Sequence, residues 1–129
     1  MAFDGADRHR LVVFVCVHGA VRSRLAAALF NEVAPDGWRA ASVGLEPQLE
    51  LGETAQRLLA GTSAAPFLDT GPPRALDLAA TAHLTVAIDC QVAGAENWRL
   101  RNREIGQPLL EELRRRVLPL AARAARSPT

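Results

Sequence analysis

Cys16, Arg22 and Ser23 lie in the segment Cys16-Val17-His18-Gly19-Ala20-Val21-Arg22-Ser23, a thiol and a guanidinium with five residues between them and a hydroxyl beside the second. A thiolate is a nucleophile, and the planar fork of an arginine holds two oxygens of a tetrahedral oxyanion at once. The small residues between them, Gly19 and Ala20 among them, let successive backbone N–H groups converge on one point. A helix starting near Ser23 aims the positive end of its dipole at whatever that loop encloses. Such a set performs attack by sulfur on a bound oxyanion, with amides taking up the developing charge. In a chain whose fifteen basic residues are all arginine, the spacing alone is a common coincidence. A plain buried cysteine at a strand end is the bland alternative. What separates the two is the context.

Leu11-Val12-Val13-Phe14-Val15 is a continuous β-rich apolar run, the mark of a strand covered on both faces. From Ser23 to about Val33, Leu25, Ala26, Leu29, Phe30 and Val33 form a helical stripe, closed by the turn Pro35-Asp36-Gly37. Trp38 to Val43 reads as a second strand, and Glu53 to Ala60 as a helix with Gly61 as its stop. Thr62 to Pro73 reads as loop and Arg74 to Ala82 as a short helix. Leu84 to Ile88 is a third strand ending at Asp89-Cys90, Asn97 to Leu100 a short fourth. Pro108 to about Arg126 is the last helix, with Leu109, Leu113, Val117, Leu120 and Ala124 facing inward. This alternation predicts a small α/β fold: four parallel strands in the order 2-1-3-4, flanked by helices on both faces. Ligands of such sheets bind beyond the carboxyl ends of the strands, where Cys16 and Cys90 both fall.

The 129 residues make one domain, with residues 1–10 expected to be flexible. A formal net charge of +1 gives no electrostatic case for nucleic acid or an anionic membrane. No apolar run approaches the ~20 residues of a membrane span. Two cysteines do not make a disulfide framework, and the polar start Met1 to Arg10 is unlike a signal peptide, so a cytoplasmic setting is expected. His9 and His83 have no ligand spacing, so no metal is expected. Without a Rossmann fingerprint or Walker loop, no nucleotide cofactor is expected either.

The segment Phe14-Val15-Cys16-Val17-His18-Gly19-Ala20-Val21-Arg22-Ser23, with Ala26-Ala27 and Phe30, resembles the low-molecular-weight protein tyrosine phosphatases. It is closer still to their relatives, the arsenate reductases of the cysteine-loop type. Ala41-Ser42-Val43-Gly44-Leu45-Glu46-Pro47 and Leu84-Thr85-Val86-Ala87-Ile88-Asp89-Cys90 extend the likeness across most of the chain. The resemblance implies that Cys16 is the nucleophile, Arg22 the clamp, Ser23 the stabiliser of the thiolate, and Val17, His18, Gly19, Ala20, Val21 and Arg22 the oxyanion cradle. Asn, common in the family, is replaced by Gly19, which tolerates the left-handed backbone needed there. The family's general acid is an Asp in an Asp-Pro pair after Trp-x-Leu. Here Trp98-Arg99-Leu100 leads to Arg101-Asn102-Arg103, so Asn102 stands at the acid's position. Asn delivers no proton, and loss of a general acid costs about 10²–10⁴ in rate. Glu96, Glu104 and Asp89 are the substitutes to consider.

Three functions follow. The first is an arsenate reductase-like enzyme with Cys90 as candidate resolving thiol, or with an external thiol as reductant. The second is a weak phosphatase for phosphotyrosine or a small phosphate ester. The third is a catalytically impaired regulatory protein that binds phosphate or a phosphoprotein, helped by Arg99, Arg101 and Arg103.

Overall fold

The structure is a computed structural model that describes residues 10–46, 53–72 and 74–126. Strand β1 (Arg10–Cys16) leads into helix α1 (Arg22–Val33), then strand β2 (Trp38–Gly44) and helix α2 (Thr54–Leu59). A 3₁₀ turn (Ala65–Phe67) precedes the two-residue strand β3 (Arg74–Ala75) and a second 3₁₀ segment (Leu76–Thr81). Strands β4 (Leu84–Ile88) and β5 (Glu96–Trp98) and helix α3 (Gln107–Arg126) complete the chain. Arg10, assigned from the sequence to a flexible leader, opens β1; the rest of that leader, like Pro47, lies outside the described residues.

All strands are parallel, in the order β3-β2-β1-β4-β5. The expected four-stranded 2-1-3-4 sheet is therefore corrected to five strands. The four anticipated strands keep their order, and the addition is the edge strand Arg74–Ala75, which pairs with Val43 and Gly44. Two residues carry no periodicity, and the Leu- and Ala-rich stretch after them reads as helix, so the pairing has no sequence signature.

Alternation along β1 builds two cores. Val12 and Phe14 face α1 and α3 together with Leu25, Leu29, Phe30, Trp98, Leu109 and Leu113. Phe14 is fully buried, with the Phe30 ring edge-on at 6.3 Å and the Trp98 ring at 5.6 Å. Burying a side chain of that kind stabilises the fold by about 1.5–3 kcal/mol. Leu11, Val13 and Val15 face the other way with Ala41 and Val43. Among the described residues that second face is covered by the 3₁₀ segment through Leu78 and Ala79, a thinner layer than the helices predicted there. Asn31 of α1 bonds both backbone groups of Ala40, at 3.0 and 2.7 Å, and fixes the helix to β2. No helix among the described residues is long and apolar enough to cross a membrane.

Candidate functional site

Cys16 is the last residue of β1 and Arg22 the first of α1, so residues 17–21 form a loop at the carboxyl edge of the sheet. The loop is held from beneath by the end of β2. Leu45 N–H donates to the Cys16 carbonyl at 3.1 Å and Glu46 N–H to the Val17 carbonyl at 2.7 Å. Two glycines permit this approach. Gly19 has φ +66°, and a Cβ on it would lie 2.7 Å from the Gly44 nitrogen; one on Gly44 would lie 2.6 Å from the His18 carbonyl carbon. Gly19 thus answers both a left-handed backbone and a backbone-to-backbone contact. Exposed His18 lies over this seam, its Nδ1 at 3.3 Å from the Glu46 carbonyl.

Cys16 is buried rather than at the lip of the loop, and its Sγ lies 3.1 Å from Ser23 Oγ, itself fully buried. The thiol donates to the hydroxyl; when the thiol ionises, the freely rotating hydroxyl turns its proton to the sulfur. No side chain caps the start of α1, so its first amides are left without a capping acceptor at the positive end of the helix dipole.

Arg22 is steadied on two sides. One Nη donates to the Arg103 carbonyl, and Nε stands 4.0 Å from Asp89 Oδ2. Neither Arg22 Nε nor Asp89 Oδ2 has a hydrogen-bond partner among the described residues, although both atoms are buried. Asp89 follows β4 with φ +51°, and its Oδ1 accepts from Leu100 N–H at 3.0 Å. Of the three substitute acids, Asp89 stands beside Arg22. Glu96 is bound by Trp98 Nε1 at 2.8 Å and by Arg123 at 2.9 Å, and Glu104 is exposed.

Asn102 is engaged elsewhere. Its amide donates to Glu112 Oε1 at 2.9 Å, and Glu112 also accepts from the N–H groups of Arg101 and Asn102 and from Arg116. Burial alone would push this carboxyl up; the four donors more than reverse that and hold it at about 2. The loop that carries Asn102 and the Arg103 carbonyl is therefore pinned to α3, with the Asn102 side chain turned to that pin.

Cys90 lies on the opposite side of the sheet from Cys16. In the register, Val15 pairs with Ala87, which sets Cys90 two residues beyond the partner of Cys16. Its Sγ reaches the Val15 carbonyl at 3.5 Å, and its side chain packs on the Leu11, Val13 and Val15 cluster, whereas Cys16 shares the parity of Phe14. Burial pushes the Cys90 thiol up, and the neighbouring Cys16 adds to this.

The sequence reading passed over Arg24, which is 3% exposed. Its Nε donates to the Gly19 carbonyl at 2.9 Å, one Nη to the Gly71 carbonyl at 2.6 Å, and the other to the Asp69 carbonyl. Burial lowers its pKa, opposed chiefly by Asp69, which Arg74 also engages. It ties the loop after β1 to residues 69–71. A charge at the start of an apolar helix was the available signal. Asp89, Cys90, Gln91, Asn97, Trp98, Arg99 and Arg103 line a cavity of about 320 Å³ along the same sheet edge. Among the described residues no cluster of His, Cys, Asp or Glu is placed to hold a metal ion.

Fold and loop together define the class: a parallel α/β sheet that carries a Cys-x₅-Arg-Ser loop at its carboxyl edge. An arsenate reductase from Archaeoglobus fulgidus is 31% identical, over 86% of this chain and 98% of that one, with a TM-score of 0.70. The thioredoxin-dependent arsenate reductase of Corynebacterium glutamicum shares the fold at 23% identity and a TM-score of 0.71, over 92% of this chain and 63% of that one. A low-molecular-weight protein tyrosine phosphatase from T. tengcongensis shares it at 18% identity and 0.55, over 88% and 93%. No protein-family model and no curated protein matches the chain. The chain belongs to the family of arsenate reductases and low-molecular-weight protein tyrosine phosphatases, thiol-dependent handlers of oxyanions.

Proposed function

We propose that this protein is a thiol-dependent oxyanion enzyme of the arsenate reductase kind, in which Cys16 attacks a tetrahedral oxyanion held by the 16–23 loop and Arg22. The observation that carries the reading is the buried Cys16 sulfur, 3.1 Å from Ser23 Oγ at the foot of an uncapped helix whose first residue is Arg22. In the first step a sulfur–arsenic bond forms and the bond from arsenic to its hydroxyl breaks, the hydroxyl leaving as water with the proton given up by the Cys16 thiol. A second thiol then attacks the Cys16 sulfur. A disulfide forms, the electron pair of the sulfur–arsenic bond passes to arsenic, and arsenite departs. That second thiol is Cys90, which packs on the Leu11, Val13 and Val15 cluster and whose pKa burial raises, or an external thiol, which needs no rearrangement of the loop. No cofactor enters these steps.

The same attack on phosphorus gives a phosphocysteine, and aryl phosphates, with their good leaving groups, are the esters best suited to a site whose Asn102 supplies no acid. Engagement of Asn102 by Glu112 equally favours the alternative of a phosphate- or phosphoprotein-binding regulatory protein without turnover. A paired assay separates these: thiol-coupled arsenate reduction and para-nitrophenyl phosphate hydrolysis, each with Cys16→Ser as control. Arsenate reduction lost in Cys16→Ser is the expected result. Binding of either anion without turnover would leave the regulatory reading, and turnover that survives Cys16→Ser would refute the mechanism.

A further inference from the structure

We infer that Asp89 and Arg22 together read the proton on the bound oxyanion, so that the site takes hydrogen arsenate or hydrogen phosphate and rejects tetrahedral dianions with no O–H. The inference rests on the oxyanion reading above and names its substrate class. Arg22 Nε is a buried donor without an acceptor, and Asp89 Oδ2 a buried acceptor without a donor, 4.0 Å apart. Oδ1 is already committed to Leu100 N–H, which fixes the carboxylate plane and aims the free oxygen at Arg22. The Arg103 carbonyl holds the guanidinium from its other end.

One group satisfies both orphans: an oxygen that accepts from Nε and donates to Oδ2. At ordinary hydrogen-bond lengths of about 2.9 and about 2.7 Å, an oxygen between them spans the gap with an angle of roughly 90°. A hydroxyl on phosphorus or arsenic has both capacities. An ionised carboxylate only accepts, so a bare oxygen in that place would face it with no proton between. Sulfate is the clean contrast, since it has the charge and shape of hydrogen phosphate without the proton. A phosphomonoester above its second pKa of about 6 likewise has no O–H. The pair thus favours free inorganic oxyanions over dianionic phosphoesters.

Calorimetric titration of the reduced full chain with inorganic phosphate, sulfate and methyl phosphate at pH 8 tests this. Fully enclosed sites that read a hydroxyl reject its absence by about 10⁴ or more; with Arg22 29% and Asp89 16% exposed, a preference on the order of 10²-fold for phosphate over sulfate is expected here. Asp89→Asn keeps an acceptor for Leu100 N–H and tolerates the positive φ, and its amide can donate to a bare oxygen. It should bring sulfate to within a few-fold of phosphate. Methyl phosphate should bind the wild type as weakly as sulfate, a result that needs no variant. Equal binding of all three anions by the wild type, or an undiminished phosphate preference in Asp89→Asn, would overturn the role of Asp89 while leaving the oxyanion site intact. Failure of the folded wild type to bind any of them would remove the site and the proposed function with it.

Discussion

Replacing Glu112 by Gln should destabilise the protein strongly at neutral pH and hardly at all in acid. The neutral amide mimics the protonated carboxyl, so the variant isolates what ionisation contributes. Glu112 is buried on α3, accepts hydrogen bonds from four donor groups, and has its pKa held at about 2 against an ordinary 4.5. At 1.36 kcal/mol per unit, the displacement corresponds to about 3 kcal/mol; Arg116, one of the four partners, is 32% exposed and partly screened by solvent, which reduces this to roughly 2 kcal/mol. The folded pKa is depressed, so the contribution is complete above about 4.5 and is lost as the pH falls through that value toward 2. Urea unfolding of wild type and Glu112→Gln at several pH values between 7 and 2.5 measures it. The stability difference should be roughly 2 kcal/mol at pH 7 and shrink steadily below pH 4.5. A difference that is independent of pH, or absent at pH 7, would refute the assignment of Glu112 as the ionised pin of the 101–103 loop.

Gly19→Ala places a Cβ 2.7 Å from the Gly44 nitrogen at a positive φ; oxyanion affinity by calorimetry should fall at least about tenfold, with roughly 1–2 kcal/mol lost in urea unfolding. Asn102→Asp sets a second carboxylate 2.9 Å from Glu112. It should cost on the order of 2 kcal/mol of stability and leave para-nitrophenyl phosphate hydrolysis no faster, whereas a large rate gain would restore residue 102 as the acid's position. Arg24→Met keeps apolar bulk but frees the Gly19, Asp69 and Gly71 carbonyls; weaker oxyanion binding with an unchanged pH profile is the expected signature of a residue that positions the loop.

Much of this arrangement is visible in the residues themselves. The apolar run of β1, the stripe of α1 and Leu84–Ile88 follow from periodicity, and with them the edge on which Cys16, Arg22 and Ser23 meet. Their spacing needs no long-range information, since strand, loop and helix are consecutive. What escaped depends on contacts distant in sequence. Strand β3 is two residues paired with β2, Glu112 is recognisable only once residues 101 and 102 fold over α3, and Arg24 acts on residues 45 and 47 positions away. Asn102 illustrates the same point. Its alignment with an acid was a matter of order along the chain, while its side-chain direction is set by Glu112. For Cys90, the sequence shows that it follows a strand but not what it packs on, which is the Leu11, Val13 and Val15 cluster.

Covalent attachment of an oxyanion to Cys16 is the step on which the proposed function rests. Rapid acid quench of the reduced protein with arsenate or an aryl phosphate, no reductant being added, followed by peptide mass spectrometry, tests it directly. An adduct on the Cys16 peptide, absent in Cys16→Ser, is the expected result. An unmodified Cys16 during turnover, or an adduct on Cys90 in its place, would contradict it.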